Sequence, residues 1–150
     1  MQHFTDEDRA VIAQALEILE RKLQGTTALE SPEAVRCYLR LQLGAESNEH
    51  FGMLFLDAKH RVLTFKRLFQ GSIDSASVYP RVVVQEALAC NAAAAIAVHN
   101  HPSGCVEPSQ ADRHLTVRLK DALSLVDVRL IDHMVVGVSR SYSFAESGLL

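Results

Sequence analysis

Apolar residues recur along the chain at two spacings, and the change from one to the other divides it into helices and strands. Ile12, Leu16, Leu19 and Leu23 fall three and four apart, the pattern of an amphipathic helix, with Thr5 as its cap and Gly25 beyond its end. Ser31-Pro32-Glu33 predicts a second helix, capped by serine with proline at its first position. It turns Val35, Leu39 and Leu43 inward and stops at Gly44. Residues 51–56 form a continuous apolar strand, and Asp57-Ala58-Lys59-His60 turns the chain into another strand starting at Arg61. A turn at Gly71-Ser72 precedes a short strand at 76–79. Pro80 then opens a helix with Val83, Ala87 and Leu88 on its inner face, ending near Asn91. The remainder alternates: a buried strand over 92–98, a helix over 112–123, a strand over 125–131, and closing strands at 134–138 and 142–144 around Ser139-Arg140-Ser141. That alternation predicts a single mixed α/β domain. Residues 1–27 read as a helical extension of a domain spanning 28–150, packed on it or on a partner, and residues 145–150 as a loosely ordered tail.

The residues that carry chemistry lie where the buried strand empties into turn formers. His99 and His101 are one residue apart, so along a strand both side chains point one way and Asn100 the other. Pro102-Ser103-Gly104 lets the chain double back, and Asp112 follows eleven residues after His101. Two imidazoles and a carboxylate suit zinc and leave a fourth position for water, which predicts a catalytic metal site. A structural account is equally available. Seven histidines make one His-x-His pair unsurprising, and Ser109-x-x-Asp112 ahead of Leu115, Val117 and Leu119 also spells a helix capping box. The two readings do not exclude each other, because a carboxylate in a helix's first turn can face a metal. Spacing alone leaves them level.

Composition narrows the classes further. An apolar content of 48% over 150 residues is enough for one hydrophobic core. A formal charge of −3 supplies no global attraction to nucleic acid, which leaves such binding unsupported though not excluded. The longest apolar run, 92–98, is far too short to cross a bilayer, and the first residues lack the basic start and apolar core of a signal peptide. Cys37, Cys90 and Cys105 are odd in number, with no Cys-x-x-Cys. They argue for a reducing cytoplasm and against a thiolate zinc cluster.

His99-Asn100-His101-Pro102-Ser103-Gly104, with Pro108, Ser109 and Asp112, resembles the signature of the RadC family, the bacterial branch of the JAMM (MPN+) metallopeptidase superfamily. Glu49-His50-Phe51, Leu54-Phe55-Leu56-Asp57, Pro80-Arg81, Asn91-Ala92-Ala93-Ala94 and Asp132-His133 extend the likeness over about residues 28–150. The superfamily pattern is a glutamate, His-x-His, ten residues and an aspartate, and the interval from His101 to Asp112 keeps it. The resemblance implies a deaminase-like α/β fold, a curved mixed sheet flanked by helices, with one zinc ion. By position, His99, His101 and Asp112 would be its ligands, Glu49 the general base and Ser109 the serine that helps hold the oxyanion. Glu46 is then a decoy, and Asp132 and His133 match a pair placed behind the ligands or in the core. Two departures stand out. Residues 1–44 lack the glycine hairpin of the helix-hairpin-helix segment found in long RadC proteins, and Val82 follows Pro80-Arg81 where many relatives have an acid.

The implied activity is zinc-dependent hydrolysis of an amide or isopeptide bond in a peptide or protein. A non-catalytic MPN-type binding module is the alternative, weakened by the complete set of Glu49, His99, His101 and Asp112. The DNA-repair role suggested by the RadC name has neither the charge nor a DNA-binding motif behind it. A zinc nucleoside deaminase needs His-x-Glu and Pro-Cys-x-x-Cys, and both are absent. Pairing of two copies through the first helix, giving a homodimer, is a further expectation.

Overall fold

The computed structural model describes residues 4–73 and 77–150. Among them the chain runs through α1 (Asp6–Leu23), α2 (Pro32–Leu43), β1 (His50–Leu56), β2 (Val62–Gln70), α3 (Pro80–Ala89), β3 (Ala94–Asn100), α4 (Gln110–Ser124), β4 (Arg129–Val136) and β5 (Ser141–Ser143). The strands form one mixed sheet in the order β2-β1-β3-β4-β5, parallel only between β3 and β4. A parallel neighbour cannot be reached by a tight hairpin, and α4 supplies the crossover. The expected α/β class holds.

Alternation along β1 divides the core into two layers. Phe51, Met53 and Phe55 pack with Val83 and Ala87 of α3 and with Leu115, Leu119 and Leu123 of α4. Leu54 and Leu56 face the other way, into a layer with Ile96, Val98, Met134 and Leu39 and Leu43 of α2. A strand covered on both faces needs no polar alternation, which is why β3 is buried along its whole length. Leu16, Leu19 and Leu23 of α1 close the second layer, while Val11 and Ile18 on the same helix stay exposed. No helix among the described residues is long and apolar enough to cross a membrane.

The cap at Thr5 forms as expected: its hydroxyl accepts from the Asp8 amide at 3.1 Å and its own amide donates to the Asp8 carboxylate at 2.8 Å. Gly44 ends α2 for a different reason than backbone freedom. A Cβ there would run into the carbonyl oxygens of Gly137 and Arg40, so the absence of a side chain lets α2 abut the turn between β4 and β5. Gly44→Ala should therefore lower stability by about 1–3 kcal/mol, read as a lower thermal midpoint.

Four expectations need correction. Leu88 is 52% exposed, and Val84 packs in its place. Leu88 lies five residues beyond Val83, roughly 140° around a helix. The two strands predicted at 125–131 and 134–138 are one strand, β4, in continuous parallel register with β3 from Arg129 to Val136 apart from one irregularity. Residues 125–128 instead turn off α4, with the Val128 amide on Leu123 O and Asp127 at φ +60. The expected strand at 76–79 begins outside the described residues, and Ser77 and Val78 lie in a turn. The terminal residues are not loose: Leu149 N donates to Phe144 O, Leu150 packs on the core, and Glu146 pairs with Arg36.

Candidate metal centre

The antiparallel pairing of β1 with β3 sets the site. Phe51 lies opposite His99 and Gly52 opposite Val98, so the same register, carried past the end of the ladder, brings Glu49 across from His101. One Glu49 oxygen accepts from the Ile73 amide at 2.6 Å, and its carbonyl accepts from Gly71 N at 2.9 Å. His99 is fully buried on the α4 side of the sheet. His101 follows it past the strand end, where Gly104 at φ +83 closes a turn back onto His101 O. That return places the Cys105 carbonyl 2.7 Å from His101 Nδ1, which must donate to it, so the neutral ring carries its lone pair on Nε2.

Asp112 enters from the first turn of α4, where both readings of its motif hold at once. Its Oδ2 accepts from the Ser109 amide at 2.7 Å, and the Ser109 hydroxyl accepts from the Asp112 amide at 3.1 Å. The same carboxylate reaches His99 Nε2 at 3.1 Å and His101 Nε2 at 3.2 Å, and the two Nε2 atoms are 3.0 Å apart. Ligands about 2.0–2.1 Å from a tetrahedral zinc ion stand roughly 3.3 Å from one another. Two imidazole nitrogens near that spacing, with one oxygen of a buried carboxylate close to each, fit a cation, and these residues could hold one.

The local field agrees. Burial alone would raise the Asp112 carboxyl, but the His101 and His99 imidazoles beside it, with the Ser109 amide, outweigh burial and hold the group far below the usual carboxylate range. Its position at a helix N-terminus favours the same charge. The Asp112 carboxylate raises the His101 imidazole, against burial, with help from Cys105 O and from Glu49. Burial pushes His133 well below its ordinary value.

Of the remaining predicted residues, His133 lies against the cluster, its Nε2 2.8 Å from His99 Nδ1. Asp132, its neighbour in sequence, points to the opposite face. It accepts from the Ser143 hydroxyl at 2.6 Å and the Ala145 amide at 3.0 Å, so it ties down the chain's end. Glu46 pairs with Arg67 at 3.1 Å, away from the triad.

Two contributors escaped the sequence reading. Thr116 sits 2.6 Å from His133 Nδ1, and its only signal was a polar residue one helical turn after Asp112. Asn100 faces away from the triad, as expected, yet organises the loop before β1. Its Oδ1 accepts from His50 N at 2.7 Å, and its Nδ2 donates to Asn48 O at 3.0 Å and Glu46 O at 3.3 Å. Asn100→Asp would keep the acceptor and set an oxygen against both carbonyls. We expect it to cost about 1–3 kcal/mol and to free the loop carrying Glu49, seen as faster proteolysis at residues 46–49.

Among the described residues, four helices around one five-stranded mixed open sheet are consistent with the JAB/MPN fold. A family profile described as RadC-like JAB domain matches residues 29–149, and the chain belongs to that family. It is 63% identical over 140 residues to a UPF0758 protein of Ectopseudomonas mendocina, covering 93% of this chain and 62% of that protein. A UPF0758 protein of Stutzerimonas stutzeri is 60% identical over 140 residues, again with 62% of its length covered. A UPF0758 protein of Vibrio cholerae is 54% identical over 143 residues, which cover 95% of this chain and 90% of that protein. The chain thus spans less than two thirds of the first two relatives.

Proposed function

We propose that the domain is a zinc-dependent hydrolase of an amide or isopeptide bond in a peptide or protein. The observation that supports this is the convergence of the His99, His101 and Asp112 donor atoms within a JAB domain, with Glu49 at the mouth of the neighbouring strand. Those three residues would hold the ion. When bound, it supplies a lowered pKa for water and polarisation of a carbonyl.

The rest of the chemistry falls to the chain. Glu49 takes a proton from the attacking water and returns it to the leaving nitrogen, so a C–O bond forms, the C–N bond breaks and the protons balance. The Ile73 amide fixes the orientation of that carboxylate. The Ser109 oxygen already accepts from Asp112 N, a bond that does not use the hydroxyl hydrogen. That hydrogen is the donor to the substrate oxygen as it gains charge. Three free thiols, Cys37, Cys90 and Cys105, agree with a reducing compartment, which we take to be the cytoplasm. Elemental analysis paired with a peptidase screen tests the proposal. One zinc per chain and cleavage abolished by chelation are expected; a purified protein that takes up no zinc ends it.

A further inference from the structure

Three acceptor atoms can converge only if the protons of the two imidazoles are held elsewhere. For His101 the Cys105 carbonyl does this. For His99 the answer runs through residues outside the triad.

The Asp112 carbonyl can only accept, and Thr116 Oγ1 lies 2.7 Å from it, so the single hydroxyl hydrogen of Thr116 points there. Thr116 Oγ1 must then accept from His133 Nδ1, 2.6 Å away. A neutral imidazole has one N–H, so His133 Nε2 bears a lone pair and accepts from His99 Nδ1 at 2.8 Å. In the neutral ring His99 Nε2 is then left bare, facing Asp112 Oδ1 and His101 Nε2, an arrangement that a cation held there would favour. The reverse order would put a proton on His99 Nε2, where the ion is to be held, and would turn the Thr116 hydroxyl from the Asp112 carbonyl to His133.

We propose that Thr116 and His133 are positioning residues: they form a one-way hydrogen-bond chain that fixes His99 as its Nδ1–H tautomer and presents Nε2 to the metal. The chain begins on the Asp112 carbonyl and ends beside the Asp112 carboxylate, so one residue supplies both its anchor and its target. Packing clamps the relay. Phe144 stacks on the His133 ring, centroids 4.8 Å apart at 18°, and Phe51 meets it edge-on at 6.1 Å. Thr116 and His133 are 2% and 0% exposed, so water does not compete for the order. Both the tautomer and its link to metal rest on the metal-centre reading above, because without a cation the bare Nε2 would face the Asp112 carboxylate.

The experiment has two arms. Long-range proton–nitrogen correlation spectra of zinc-loaded, histidine-labelled protein should show Nδ1–H forms at His99 and His133. Zinc titration against a chromophoric chelator should show about 10–100-fold weaker binding in Thr116→Val, which keeps shape and removes the hydroxyl, with Thr116→Ser close to the parent. An Nε2–H form at His133 in the zinc-loaded parent overturns the proposal. So does a folded Thr116→Val with unchanged zinc affinity and an unchanged His99 tautomer. Parent protein that binds no zinc but keeps Nδ1–H on His133 upholds the order from His133 to Thr116 and sinks the metal reading instead.

Discussion

Zinc at a thousand times its dissociation constant should raise the unfolding free energy by about 4 kcal/mol, and His101→Ala should abolish the gain. In a chain of this size that is a rise of about 8–16 °C in the thermal midpoint. The gain follows from mass action: His99, His101 and Asp112 come together from β3, the turn after it and α4 only when the sheet and its crossover are formed. The increment should also depend on pH, and its sign is set by His101. In the metal-free fold its pKa lies above the ordinary 6.5, chiefly through the Asp112 carboxylate. The stabilisation from that bound proton is complete below the unfolded value and is lost as pH rises through the folded one. Zinc must displace the same proton, so its stabilising effect should be smallest in weak acid and grow through neutral pH. Asp112 works at the other end: its stabilisation is present above 3.8 and lost only as pH falls through its depressed folded value. Thermal scans with zinc and with chelator across neutral pH check the trend, and a zinc shift that shrinks on raising pH would contradict it.

Glu49→Gln should leave zinc binding and stability near the parent's and reduce hydrolysis by about 10²–10⁴-fold, the usual contribution of a general base. The glutamine oxygen can still accept from the Ile73 amide, so the hydrogen bond that orients the side chain has a replacement. What is lost is the capacity to take a proton. Zinc affinity measured beside turnover separates this from damage to the site: a variant that loses both has lost the site's geometry. A variant that hydrolyses normally removes Glu49 from the reaction.

The site was legible in unequal parts. His99 and His101 could be paired from strand geometry, and Asp112 could be joined to them through the family spacing, although its capping box competed for the same residue. The structure shows one carboxylate serving both, because Oδ2 can accept from Ser109 N while the group faces the imidazoles. Asp132 and His133 were read as a pair, yet adjacent strand residues face opposite ways, and only His133 reaches the cluster.

What the sequence by itself determined is local: the Thr5 cap, the helix opened by Pro32, the buried run that became β3, and the His-x-His phase all depend on residues close along the chain. Only the tertiary structure decided how those pieces answer one another. The β1–β3 register that carries Glu49 to His101, the close approach that requires Gly44, and the merging of two predicted strands into β4 depend on contacts between distant segments. So does the proposed order of hydrogen bonds between Thr116 and His99, because a proton's place on an imidazole is set by the neighbour that accepts it, and here that neighbour comes from another strand.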